Sequence, residues 1–131
     1  MSKEYTNREF GALGEKLAVR YLKDKHYKIL EKNYKCALGE VDIIARYGDF
    51  IVFAEVKTRS AEPFLSGVYA VDSRKREHIM RVASQYIREK KCALQPRFDI
   101  IAVEIDRSTG KPVKADHIEN AFIQTGGYAK Y

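Results

Sequence analysis

The sequence predicts an α/β domain, a mixed central sheet flanked by helices in the order α-β-β-β-α-β. Three patterns carry that prediction. Two segments repeat apolar residues at helical spacing. Two Val/Ile/Phe-rich runs are joined by Gly48-Asp49, a two-residue hairpin signal. A further run, Ile100–Val103, is apolar on both faces, as in a strand covered on both sides. The 131 residues fit one domain spanning 1–131. The 45% hydrophobic content excludes collagen-like, low-complexity and fully disordered chains.

The first helix is expected from about Asn7 to Lys23, with Phe10, Leu13, Leu17, Ala18, Tyr21 and Leu22 as its stripe and Asn7 as N-cap. Glu15 falls at the edge of that stripe, and on spacing alone it reads as an exposed helix glutamate. Tyr27–Tyr34 reads as a strand with Tyr27, Ile29 and Glu31 on one face. Glu40–Tyr47 and Phe50–Lys57 form the hairpin, Gly48 accepting the positive φ of a primed turn. Thr58–Val71, with Pro63, Ser66 and Gly67, is a loop of functional length, either a substrate-contacting flap or a crossing connection. A second helix runs from Ser73 to Lys91, capped by Asp72 or Ser73 and burying Ile79, Val82, Ala83, Tyr86 and Ile87. Phe98–Asp106 is a strand entered after Pro96, Ser108-Thr109-Gly110 a turn, Val113–His117 a short last strand, and Gly126–Tyr131 an end expected to fray.

No stretch approaches the roughly 20 apolar residues of a membrane span, and Met1–Phe10 lacks the apolar core of a signal peptide. A cytoplasmic protein with no membrane partner is expected. Cys36 and Cys92 have no zinc or redox spacing, and His26, His78 and His117 lie too far apart for a local zinc site. The net charge of +6 permits a polyanionic partner. Much of it gathers on the second helix, where Arg74, Lys75, Arg76, Arg81, Arg88, Lys90 and Lys91 outnumber Asp72, Glu77 and Glu89. Such groups hold phosphates without reading sequence.

The hairpin fixes a register. With Gly48-Asp49 as the turn, Tyr47 pairs with Phe50, Ile44 with Phe53, Asp42 with Glu55 and Glu40 with Lys57. Opposed residues share a face, so Asp42 and Glu55 project side by side, with Glu40 and Lys57 next to them. Val41, Ile43, Ala45, Val52, Ala54 and Val56 then form the opposite, core face. Two carboxylates about 5 Å apart repel by about 3 kcal/mol at an effective dielectric near 20. A fold tolerates such a pair when it protonates, stays wet or binds a cation. Carboxylate oxygens with positions left for water and phosphate suit Mg²⁺, or Mn²⁺ in its place. Lys57, on the same face, can orient a water or stabilise a phosphoryl charge.

These residues resemble the PD-(D/E)XK nuclease superfamily, and within it the YraN-like family. The resemblance lies in Gly14-Glu15, Gly39-Glu40-Val41-Asp42-Ile43-Ile44, Phe53-Ala54-Glu55-Val56-Lys57-Thr58-Arg59, Lys75, Arg97-Phe98-Asp99-Ile100 and Asn120-Ala121-Phe122, in that order along nearly the whole chain. The superfamily's proline is absent, Val41 preceding Asp42. The resemblance implies a restriction-endonuclease-like core. It implies metal ligation at Asp42 and Glu55 with the Val56 carbonyl, a catalytic Lys57, and a further metal residue in Glu15, similar to the helix acid of Holliday-junction resolvases. Phosphate contacts fall to Arg59, Lys75, Arg74 and Arg76. The implied activity is a metal-dependent endonuclease on DNA, branched or damaged, with a homodimer in a resolvase-like role. The alternative is a nucleic-acid-binding protein that keeps the fold without cutting.

Overall fold

The computed structural model describes residues 5–61 and 73–122. Its elements are α1 (Asn7–Asp24), β1 (Lys28–Cys36), β2 (Gly39–Tyr47), β3 (Phe50–Ser60), α2 (Ser73–Lys90), β4 (Gln95–Ile105) and β5 (Pro112–Ile118). The strands form one sheet in the order β1-β2-β3-β4-β5. Only β3 and β4 are parallel, and the other neighbours are antiparallel. A parallel pair needs a crossover, and α2 stands between those two strands in the chain. The mixed sheet with a helix on each side is the architecture expected.

The two sheet faces bury separate cores. Phe10, Ala18 and Leu22 of α1 pack on Ile43, Ala45, Val52, Ala54, Ile101 and Val103. Ile79, Val82, Ala83 and Tyr86 of α2 pack on Val41, Ile44, Ile51, Phe53, Phe98 and Ile100. Ile100–Val103 therefore contributes to both cores, as its doubly apolar composition requires.

Several boundaries differ from expectation. Thr6, not Asn7, caps α1. Its Oγ1 accepts from the Glu9 amide at 3.1 Å, and its own amide donates to Glu9 Oε1 at 3.0 Å. This reciprocal Thr-x-x-Glu box satisfies two end groups at once, which a lone Asn7 cap would not. β3 runs on to Ser60, so Thr58–Ser60 belong to the sheet rather than to a loop. β4 starts at Gln95, with Pro96 already paired opposite Ile51. Residues 62–71 of the expected loop, the Asp72 cap and the segment Gly126–Tyr131 lie outside the described residues. On β1 a register shift between Ile29 and Glu31 breaks the alternation. Tyr27 and Ile29 stay with the α1 core. Glu31 instead accepts from the Tyr86 hydroxyl of α2 at 3.3 Å, so it does not share their face.

Gly14 matters to the site that follows. A Cβ added there would lie 2.8 and 2.9 Å from Thr58 Cγ2 and Cβ on β3. The absent side chain lets α1 settle onto the strand at Thr58, and this sets the position of the next residue, Glu15.

Candidate functional site

The hairpin turn brings β2 and β3 into the expected register from Tyr47↔Phe50 to Ile43↔Ala54. Gly48 sits at φ 58°, the left-handed conformation that the turn needs. Past Ile43 the ladder changes. The Asp42 carboxylate takes the place of a strand partner and accepts from the Val56 amide at 2.8 Å. Asn33, at the matching level of β1, is left-handed at φ 51°. The alternation of β2 breaks here: Val41 joins the α2 core, while Ile43 and Ala45 join the α1 core. Val41 was expected beside Ile43 on one face, and the irregularity at Asp42 moves it to the other.

Asp42 and Glu55 are nevertheless brought together. Burial is the largest influence on Asp42, the Glu55 charge comes next, and together they push its carboxyl up to about 7 against the Val56 hydrogen bond and the Lys75 charge. Asp42 therefore sits at the boundary between protonated and ionised near neutral pH. Glu55 is buried, only 4% exposed, and its Oε2 lies 2.6 Å from Lys75 Nζ of α2. The Lys75 ammonium is held above its ordinary pKa: burial pulls it down, but the hydrogen bond and charge of Glu55 outweigh that. Glu15 approaches Asp42 from α1. Its carboxyl is raised, first by burial and then by the Asp42 charge, and a hydrogen bond from Asn33 opposes both. Asp42 thus feels charges from both sides of the sheet, Glu55 and Lys75 toward α2 and Glu15 toward α1.

Lys57 is half-buried, two residues beyond Glu55 in an unbroken run of parallel pairing with β4, so it shares the Glu55 face. Glu40 does not stand opposite Lys57. It is exposed and 3.8 Å from Lys35, its β1 neighbour. Arg59 is half-buried near the end of β3. On the first turn of α2, Arg74 is exposed and Arg76 half-buried.

Among the described residues, no three His, Cys, Asp or Glu side chains converge as a metal-binding group. The acid pair still fits a hard divalent cation: one or two carboxylates with remaining positions held by water and phosphate is the usual Mg²⁺ donor set, and a cation would offset the Glu55 charge that, after burial, raises Asp42.

A buried ionic network was not foreseen from sequence. Asp99, fully buried, accepts from Arg97 Nε at 2.9 Å and Nη2 at 2.7 Å, sits 2.7 Å from His117 Nε2 and accepts from the Asn120 amide at 3.0 Å. Arg97 Nη2 also donates to the Tyr27 hydroxyl at 2.6 Å. Burial would raise the Asp99 carboxyl, but its bonds to His117, Arg97 and the Asn120 amide hold it below the usual carboxylate range. The only signal in the sequence is the alternating Arg97-Phe98-Asp99, which sets both charges on one face of β4. The network ties β5 and the stretch after it to β4 and to Tyr27 just before β1, and so holds one side of the sheet that carries the acid pair.

Fold and site together define a mixed-sheet α/β protein that carries a crowded carboxylate pair flanked by lysines. The chain belongs to the uncharacterised protein family UPF0102, which it matches over residues 14–103. That stretch contains Glu15, Asp42, Glu55, Lys57, Arg59 and Lys75. The chain is 46% identical over 121 residues to a UPF0102 protein of Caldanaerobacter subterraneus subsp. tengcongensis, covering 92% of this chain and 99% of that one. It is 46% identical over 119 residues to a UPF0102 protein of Alkaliphilus oremlandii (88% and 99% covered). A UPF0102 protein of Clostridioides difficile is 45% identical over 117 residues (88% and 98% covered). No described helix is long and apolar enough to cross a membrane.

Proposed function

We propose that this protein is a metal-dependent endonuclease that hydrolyses phosphodiester bonds in DNA, with branched or damaged DNA as its substrate class, acting in the cytoplasm. One observation carries the reading: Asp42 and Glu55 stay adjacent although the ladder that would have paired them is broken, and burial, with the Glu55 charge added to it, holds the Asp42 carboxyl above its ordinary range. A structural pair of acids gains nothing from that arrangement, whereas a cation site does.

Asp42, Glu55 and the Val56 carbonyl would hold Mg²⁺ or Mn²⁺, which when bound supplies charge stabilisation at the phosphate and a more acidic water. Val56's amide fixes the Asp42 carboxylate through its 2.8 Å hydrogen bond, so the ligand oxygens are oriented before any substrate arrives. Lys57 positions the attacking water and offsets charge on the phosphoryl oxygens. Lys75 neutralises Glu55 in the resting protein and can turn from it toward a phosphate once a cation takes over that role. Glu15 adds a third carboxylate on the α1 side. Arg59, Arg74 and Arg76 contact flanking phosphates. A two-fold dimer would suit a branched substrate.

The second reading, a nucleic-acid-binding protein that does not cut, is favoured by the same Lys75–Glu55 contact, because an internal ammonium already compensates the acid pair as a metal would. Incubation with branched and linear DNA in Mg²⁺ or Mn²⁺, beside Asp42→Ala and Lys57→Ala, separates them. The nuclease reading predicts cleavage by the wild type that both substitutions abolish. Cleavage that persists in the variants removes these residues from the site, and binding without cleavage establishes the second reading.

A further inference from the structure

A hollow of about 370 Å³ lies on the α1 side of the sheet, lined by Asn7 and Gly11 of α1, Thr58, Arg59 and Ser60 of β3, and Arg107 after β4. Its volume is within the range of about 300–1,000 Å³ usual for small-ligand sites. Arg107 is oriented from two directions. Its guanidinium carbon stacks 4.2 Å from the Phe10 ring centroid, and Nη1 donates to Asn7 Oδ1 at 3.3 Å. Its Nε is buried and has no hydrogen-bond partner among the described residues. A guanidinium N–H kept from water without an acceptor is costly. Arg107 lines the hollow, and a guanidinium's fork of N–H groups matches the oxygens of a phosphate. Thr58 and Ser60 add hydroxyls. The positive end of the α1 dipole points the same way, and its first-turn acid, Glu9, is turned back into the capping box. Arg59 stands opposite Glu104 in the β3–β4 pairing, so Arg107 is the group on which the site depends.

The hollow does not stand alone. Glu15 lines it, and Glu15 also lines a second hollow of about 270 Å³ that contains Asp42, Asn33 and Lys32. The two cavities therefore meet at one side chain, with the acid site at one end and the arginines at the other. We infer that the Arg107 hollow seats a backbone phosphate of the nucleic-acid strand, next along from the phosphate at Asp42 and Glu55. This rests on the nucleic-acid reading above. It routes the strand along the α1 side of the sheet rather than only across the basic face of α2.

The test uses the full chain with EDTA present, so that no cleavage occurs, and two variants. Arg107→Gln removes the charge. Gly11→Leu fills the hollow without changing charge: a Cβ at Gly11 meets nothing within 4 Å, so the side chain has room and the helix gains propensity. Sodium pyrophosphate is titrated while the Arg107 Nε–H and the Thr58 and Ser60 amides are followed by NMR. Labelled branched DNA is titrated by anisotropy across a salt series. The inference predicts pyrophosphate shifts at those three residues, lost in Gly11→Leu. It also predicts DNA affinity lowered about tenfold in both variants, with the salt slope reduced by about one. Variants that bind DNA with the wild-type affinity and slope overturn the pocket, while cleavage that depends on Asp42 and Lys57 leaves the nuclease reading intact. Pyrophosphate shifts confined to other residues also overturn it. A wild type that binds no DNA at low salt overturns the strand assignment and the nucleic-acid reading together. Should Arg107→Gln unfold through loss of its Phe10 contact, Gly11→Leu gives the result by itself.

Discussion

Removing the Asp42 charge should stabilise the metal-free protein, and by an amount that depends on pH. The Asp42 carboxyl is raised in the fold from 3.8 to about 7. A group raised in this way contributes its stability fully below about pH 4, and the contribution is lost as the pH rises through about 7. The full shift corresponds to a loss of about 4 kcal/mol. Solvent reaches part of the side chain, so about 2 kcal/mol is the working figure. Asp42→Asn keeps an oxygen to accept from the Val56 amide and removes the repulsion against Glu55. In EDTA at pH 8 the variant should melt roughly 8 °C above the wild type. At pH 4 the two should melt together. Adding Mg²⁺ or Mn²⁺ at pH 8 should raise the wild type and leave the variant unchanged. Equal melting temperatures at pH 8, or a variant less stable there, would refute the claim that this carboxylate is held in a conformation it disfavours.

Gly14→Ala forces a Cβ against Thr58 and should destabilise the fold by about 1–2 kcal/mol, the overlap exceeding the helix-propensity gain; urea unfolding measures it. Lys75→Met leaves the buried Glu55 without its ion pair and should cost about 1–3 kcal/mol in EDTA, less than a fully buried pair because the lysine is 44% exposed. A divalent cation should restore most of that loss in a thermal melt. Asp99→Asn strips the counterion from the buried Arg97 and should cost about 3–5 kcal/mol. The Asp99 carboxyl lies below its ordinary 3.8, so its contribution is complete above about pH 4 and disappears as the pH falls through the lowered value. Acid unfolding of the wild type should show that limb, and the variant should not. With Asp42 acting in the opposite direction, the metal-free protein should be most stable on the acid side of neutrality.

What was legible in the sequence was what rests on periodicity and turn chemistry. Gly48-Asp49 fixed the turn, and the turn fixed the register of Tyr47 through Ile43 against Phe50 through Ala54. The helical stripes of α1 and α2 are the residues that face the two cores. The failures of register share one cause, that strict alternation has no term for irregularity. Asn33 turns left-handed at the level of Asp42, and the Leu30 level of β1 shifts register. These move Val41 and Glu31 to the α2 side and separate Glu40 from Lys57. Asp42 and Glu55 remained adjacent for a reason the register did not contain, the side-chain bond from Asp42 to the Val56 amide. Long-range pairs were invisible for a different reason. Lys75 reaches Glu55, and His117 reaches Asp99, across elements whose relative placement only packing decides. The Thr6 cap, by contrast, was readable from Thr6-x-x-Glu9.

The central claim is that Asp42 and Glu55 form a divalent-cation site, and Mn²⁺ binding followed by EPR at pH 7.5 tests it most directly. The account predicts Mn²⁺ uptake by the wild type that is displaced by Mg²⁺, lost in Asp42→Asn and Glu55→Gln, and retained in Lys57→Ala. Wild-type protein that takes up no Mn²⁺, or an Asp42→Asn variant that binds it with undiminished affinity, would contradict it.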